Sequence, residues 1–166
     1  MDESGFTLNY PLMRCWMKQA EQKRLPANTQ VRSGCLMAGV IDYLSGQAWC
    51  QVIEKLDTQS LITYFEWLFN VIYPTESMVI VMDNARTHHA RALQAFLALH
   101  PRVQVLFLPA YSPDMNLIER FWLHLKQRIT YNRLFASITD MILALQTELV
   151  QQNCFDYEFR FNFSKD

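Results

Sequence analysis

Two short apolar runs, Met78–Met82 without a break and residues 103–108 interrupted only by Gln104, restrict the architectures open to this chain. A run of that length, closed by a turn pair (Asp83, Asn84) or by a proline (Pro109), reads as a strand buried on both faces. Between the two runs, Leu93, Phe96, Leu97 and His100 recur at helical spacing, and Pro101 stops the pattern. Strand, helix and strand in that order make a right-handed crossover unit joining parallel strands. The chain is therefore expected to be α/β.

The flanking segments complete the sheet. Residues 5–16 lack helical periodicity, and residues 33–53 are rich in apolar residues and broken at the turn dipeptide Ser45-Gly46, which predicts a hairpin. On its second strand Ala48, Cys50 and Val52 face one way and Trp49, Gln51 and Ile53 the other, and the wholly apolar first set is expected to meet the core. After Asp57, a helix N-cap, Leu61, Tyr64, Phe65, Leu68 and Ile72 mark a helix that Pro74 ends. Downstream, Ser112 and Pro113 are placed to cap and open a third helix whose stripe is Ile118, Phe121, Trp122, Leu125 and Ile129. Ser137 and Asp140 fit a capping box ahead of a last helix carrying Ile138, Met141, Ile142, Leu145 and Leu149 inward. Three antiparallel strands followed by two parallel ones, with helices on both faces, make the mixed five-stranded sheet of a ribonuclease H-like fold.

A length of 166 residues suits one domain, and with 51% hydrophobic residues it can bury a real core. Residues 1–152 are expected to form it. In residues 153–166, Phe155, Tyr157, Phe159, Phe161 and Phe163 alternate with mostly polar neighbours, predicting an edge strand or a dimer arm. A formal charge of −1 argues against a domain that grips a polyanion by net charge, so any such affinity rests on local patches. Lys18, Lys23 and Arg24 read as solvated surface; Arg120, Lys126, Arg128 and Arg133 form a second group. The four cysteines lack zinc-site spacing and read as reduced, apolar packing groups. Trp16, after a turn, reads as core packing. Neither a leader nor a bilayer-length apolar stretch is present, which makes the cytoplasm the default location and leaves no membrane role.

Chemistry points to the acids. Open α/β sheets build sites beyond the carboxyl ends of their strands, where Asp83 stands, although an Asp before a helix is more commonly a turn or cap residue. Glu119 lies in the first turns of the third helix, one position off its apolar stripe, so its carboxylate emerges at the border of the sheet and can reach toward Asp83. Its bland reading is a favourable charge near a helix N-terminus. Converging carboxylates repel one another unless a hard cation such as Mg²⁺ joins them, and two such ions about 4 Å apart can serve an in-line displacement at phosphorus. Lys126, two turns past Glu119 on nearly the same face, is placed either to steady a nearby phosphate or simply to be solvated.

Taken together, three segments resemble the DDE transposases of bacterial insertion sequences in the mariner superfamily. They are Asp2, Glu3, Ser4, Gly5 and Phe6; then Val81, Met82, Asp83, Asn84 and Ala85 with His88 beyond; then Leu108, Pro109, Ala110, Tyr111, Ser112, Pro113, Asp114, Met115, Asn116, Leu117, Ile118, Glu119, Arg120, Phe121 and Trp122. The 35 residues between Asp83 and Glu119 are spaced as in that superfamily. The resemblance implies Asp2, Asp83 and Glu119 as catalytic metal ligands for two Mg²⁺ (or Mn²⁺), and Asn84, His88 and Asn116 as supports of the ligand geometry, with His88 and His89 diverging from a helix. It implies a strand cut at a transposon end and attack of the freed 3′-hydroxyl on target DNA, with Lys126 and Arg120 as DNA-contacting candidates. Such a protein is bacterial and nucleoid-associated when bound to DNA, and it can act as a homodimer. Two departures bear on function: the first strand starts at Asp2, truncated relative to the family, and the helix-turn-helix region that reads transposon ends is expected to be separate or missing. The alternative expectation is a catalytically inactive remnant that folds and associates with DNA or partner subunits.

Overall fold

The computed structural model describes residues 1–8, 13–14, 16–19, 24, 33–109 and 116–154. Three antiparallel strands come first: β1 (Asp2–Thr7), β2 (Gly34–Ile41) and β3 (Ala48–Ile53). Their register sets Asp2 opposite Gly39 and Glu3 opposite Ala38. The β2–β3 hairpin turns at Gly46, whose φ of 73° explains the glycine there. Asp57 then accepts a bond from the Ser60 amide (2.9 Å) and starts α1 (Thr58–Trp67), which runs on as a π-helical turn over Leu68–Ile72. Strand β4 (Met78–Met82), helix α2 (Arg91–Ala98) and strand β5 (Val103–Phe107) form the expected crossover, with β4 and β5 parallel. Helices α3 (Leu117–Ile129) and α4 (Ile138–Cys154) finish the described chain.

Among the described residues there are five strands, in the order expected, but the ladders divide them into a three-stranded sheet β1-β2-β3 and a two-stranded sheet β4-β5. At the seam the Met1 amino group donates to the Val81 carbonyl over 2.7 Å. Apolar packing does the rest, for one core runs across both sheets: Ala38, Val40 and Ile53 join Ile80, Met82 and Val103 beneath Leu61, Tyr64 and Phe65 of α1 and Leu93 and Leu97 of α2. A second core on the opposite face of the three-stranded sheet joins Phe6 and Met37 to Ile118, Trp122, Leu125 and Ile129 of α3 and Met141 and Leu145 of α4. Helices thus cover both faces, and strand β3 is packed from both sides. The expected one-sided burial of β3 is corrected accordingly: Trp49 and Ile53 belong to the first core, while Val52, from the set expected inside, is exposed near the strand's end.

Capping chemistry accounts for the helix ends. Ser137 Oγ receives the Asp140 amide (3.1 Å), the first half of the expected capping box, while the Asp140 carboxylate accepts from the Ser137 hydroxyl (2.8 Å). Helix α3 begins at Leu117 with Asn116 in the cap position; Ser112 and Pro113, expected to start it, lie outside the described residues. So does the aromatic tail from residue 155, whereas α4 runs to Cys154, past the expected domain limit at 152. Cys35 and Cys50 are free thiols. Trp16 is fully exposed rather than packed. Nearby Met13 is tied to the Asn132 side chain by two bonds of 3.0 and 2.9 Å. No helix among the described residues is long and apolar enough to cross a membrane.

Candidate active site

Strand pleating decides where the first acid points. Asp2 is cross-strand partner to Gly39, so both present the same face of the sheet. A Cβ on Gly39 would lie 2.8 Å from Cη2 of Trp122, which places that face under α3. Asp2 therefore opens toward the helix whose first turn carries Glu119. Asp83 follows β4 directly, at the carboxyl end of the strand, with its side chain 48% exposed. Glu119 is exposed.

The three acids sense one another. Burial first, and then the negative charges of Glu3, Asp83 and Glu119, push the Asp2 carboxyl up to about 6 against the opposing pull of the Glu3 backbone amide. The Lys126 ammonium answers on the same side: it sits 5.5 Å from the centre of the Phe6 ring, and burial lowers its pKa while the charge of Asp2 works to raise it. An oxygen-only set with excess negative charge and an open side has the donor chemistry for a hard divalent cation. Among the described residues, however, no three His, Cys, Asp or Glu side chains already converge closely enough to hold an ion. Of the three acids, Asp2 and Asp83 are half-buried and Glu119 is exposed.

The supporting residues bind into the scaffold. Asp83 Oδ1 accepts the Ala85 amide at 2.9 Å and faces His88 Nδ1 at 2.7 Å. Asn84 donates through Nδ2 to the Leu108 carbonyl, clamping the end of β4 to the end of β5, and its Oδ1 lies 3.1 Å from His89 Nε2. His88 and His89 stand in a turn ahead of α2, not on a helix as expected, but they do diverge: His88 is fully buried, while His89 stacks on Phe107 with ring centres 4.2 Å apart. Asn116 is buried at the α3 cap position, with its Nδ2 unpartnered. Arg120 is exposed beside Glu119, and Arg128 pairs with Glu148 of α4 instead of joining a free basic patch.

Glu3 had no assigned role from sequence. Its carboxylate meets His88 Nε2 at 3.0 Å, on the side of the sheet opposite to Asp2. Burial works to lower the His88 ring, but its bonds to Glu3 and Asp83 outweigh that and hold its pKa above the ordinary value. The available signal was a second acid beside Asp2, on the strand face opposite to Ser4 and Phe6.

A ribonuclease H-like domain with acids drawn from β1, the end of β4 and the start of α3 is the build of a DDE-type nuclease domain. Residues 1–142 match the DDE superfamily endonucleases, and the chain belongs to that family. It is 26% identical over 141 residues to the insertion element IS630 uncharacterized 39 kDa protein of Shigella sonnei, which covers 85% of this chain and 41% of that protein. Among solved structures, the Mos1 transposase paired-end complex with left transposon end matches 90% of this chain and 46% of its own, with a TM-score of 0.68 at 18% identity. The Mos1 strand transfer complex matches 93% and 46%, with a TM-score of 0.68 at 15% identity. The intasome of simian T-cell lymphotropic virus aligns over 70% of this chain and 42% of its own, with a TM-score of 0.54 at 15% identity. These likenesses show the ribonuclease H-like fold, and the chain spans less than half the length of each of these proteins.

Proposed function

We propose that this chain is the catalytic domain of a DNA transposase, cleaving DNA at transposon ends and joining it to target DNA, with Asp2, Asp83 and Glu119 as the catalytic carboxylates. What supports the reading is position: Asp2 on the β1 face that lies under α3, Asp83 at the carboxyl end of β4 and Glu119 in the first turn of α3, with the charges of the latter two both raising Asp2. Family membership supports the endonuclease chemistry, and the fold shared with mariner Mos1 complexes solved with Mg and with Mn supports divalent metal use.

Asp2, Asp83 and Glu119 would hold two Mg²⁺ or Mn²⁺. When bound, the ions supply Lewis acidity at the phosphodiester and offset charge on the attacking and leaving oxygens. The protein's own part is placement. Asp2 is fixed by the β1–β2 ladder, and Asp83 by the Ala85 amide and His88. Asn84 fixes the β4 and β5 ends, and the Asn116 carbonyl accepts the Glu119 amide at the start of α3. Lys126, held over Phe6 near Asp2, neutralises substrate phosphate, with the exposed Arg120 contributing along the DNA. Sequence-specific reading of transposon ends belongs to a helix-turn-helix region on another segment or polypeptide, and residues 153–166 serve as an edge strand or as an arm to a second copy. In the cell the protein works in the bacterial cytoplasm, at the nucleoid when bound to DNA.

One observation favours a second reading, a remnant that folds and associates with DNA or partners without turning over: the three ligands are not converged at ion-holding distance. Mn²⁺ titration of the chain beside Asp83→Ala, with nicking of supercoiled plasmid in parallel, separates the two. Binding and nicking that both vanish in Asp83→Ala are the expected result. Absence of Mn²⁺ binding in the parent would leave the remnant, and equal nicking by parent and variant would assign the activity to a contaminant.

A further inference from the structure

Asp2 and Asp83 belong to different sheets, so the distance between them is set by whatever joins β1 to β4. Much of that joint is apolar: Met1 and Ala38 pack with Ile80 and Met82 in the first core. Apolar packing is strong but non-directional, and it does not by itself fix a register. Directional bonds do, and a side-chain bridge spans the seam beside the acids.

Glu3 follows Asp2 on β1 and so points to the opposite face, the side of its cross-strand partner Ala38, which is fully buried in the first core. There Glu3 Oε1 lies 3.0 Å from Nε2 of His88, a ring with no solvent exposure. The other ring nitrogen, Nδ1, lies 2.7 Å from Asp83 Oδ1 and 3.1 Å from the Asp83 carbonyl. Carboxylate and carbonyl oxygens accept, so His88 donates one N–H to each strand. The His88 carbonyl is in turn held by the Gln94 side chain at 2.8 Å, anchoring the turn to α2. Glu3 and His88 are 85 residues apart in the chain, so no local turn preference explains their meeting.

We propose that Glu3 is a positioning residue: acting through His88, it aims the Asp83 carboxylate and sets its spacing from Asp2 across the seam. This role rests on Asp2 and Asp83 being the metal ligands named above. Partners that orient a ligating group from behind change metal affinity by roughly 10–100-fold when removed.

The test is Mn²⁺ affinity by calorimetry on the full chain, with folding checked by circular dichroism, for the parent, Glu3→Ala, Glu3→Gln, His88→Asn and Asp83→Ala. Alanine and glutamine both remove the charge of Glu3, but only glutamine keeps an acceptor for His88. The expected order is a loss of about 10-fold or more in Glu3→Ala and a distinctly smaller loss in Glu3→Gln. His88→Asn keeps a donor near the Nδ1 position and severs the link to Glu3, so it should fall as Glu3→Ala does; it decides the matter if Glu3→Ala does not fold. Equal losses in Glu3→Ala and Glu3→Gln would reduce Glu3 to a background charge and overturn the role. Parental affinity in folded Glu3→Ala or His88→Asn would overturn it as well. If the parent and Asp83→Ala bind Mn²⁺ alike, the ligand assignment itself fails and the role of Glu3 falls with it, an outcome distinct from Asp83-dependent binding that ignores Glu3.

Discussion

Gly39→Ala adds one methyl group at the point where the sheet, α3 and the candidate site meet. The new Cβ would stand 2.7 Å from Cys50 Sγ and 2.8 and 3.0 Å from Cη2 and Cζ2 of Trp122. Carbon pairs rest at about 3.5–4.0 Å, so the indole must retreat by roughly 0.7 Å or more. Trp122 is buried edge-on against Phe6, with ring centres 6.1 Å apart, and cannot swing clear without shifting α3. Overpacking of this kind costs about 1–3 kcal/mol. Gly39 is not in the left-handed region, so alanine also gains about 0.4–1 kcal/mol by restricting the unfolded chain. The difference leaves a net loss of about 1–2 kcal/mol, or a Tm lowered by roughly 2–8 °C in a protein of this size. Thermal melts of Gly39→Ala, Trp122→Phe and the double variant measure it, because phenylalanine removes ring atoms that collide and should make the double variant more stable than the two single losses predict. A Gly39→Ala protein as stable as the parent, or strictly additive losses, would refute the close-packing argument. Mn²⁺ affinity should fall in Gly39→Ala and recover in the double variant, since Glu119 is one turn before Trp122 on α3.

The remaining predictions are independent of that contact. The folded state raises Asp2 to about 6 from a model-peptide value of 3.8, so its stabilising share is fully present below about 3.8 and is lost as pH rises through 6; metal-free melts from pH 4 to 7 should show this slope diminished in Asp2→Asn, and identical slopes would refute it. Protons compete for the same carboxyl, so Mn²⁺ affinity should weaken toward 10-fold per pH unit below about 6, as titrations at pH 5 and 7 would register. Arg102 donates to the carbonyls of Phe69, Tyr73 and Glu76 at 2.7, 2.8 and 2.6 Å, and Arg102→Met should cost about 2 kcal/mol in urea unfolding by leaving them to water or unpaired. Lys126→Ala should lower the slope of log DNA affinity against log salt by about one; a parental slope in filter binding would remove the phosphate role.

The parts of the fold legible in the sequence are those set by local chemistry. Met78–Met82 and Val103–Phe107 were legible as strands from their short apolar runs, although Val79, Gln104 and Leu106 are exposed, so the expected burial on both faces is corrected; Asp57 and Ser137 marked helix starts because their side-chain oxygens accept free amides. The candidate acids were legible by resemblance and by position at strand and helix ends. What stayed hidden depends on encounters between distant segments. Alternation along β3 could not show that helices would cover both of its faces, which is why Trp49 and Ile53 are inside and Val52 is not. Trp16 looked like a core residue by type, yet type says nothing about whether its segment enters a core. The bridge from Glu3 through His88 to Asp83 has no periodicity to announce it, being assembled only when β1 and β4 come together.

The division of the strands into two ladders has a mechanical meaning. Hydrogen bonds run continuously within each ladder, whereas the boundary between β1 and β4 is crossed by the Met1–Val81 bond, the Glu3–His88 bridge and shared apolar packing. On the proposed reading Asp2 and Asp83 stand on opposite banks of that boundary, and a cation shared between them would add one more tie across it. Filling the site and tightening the domain would then be one event.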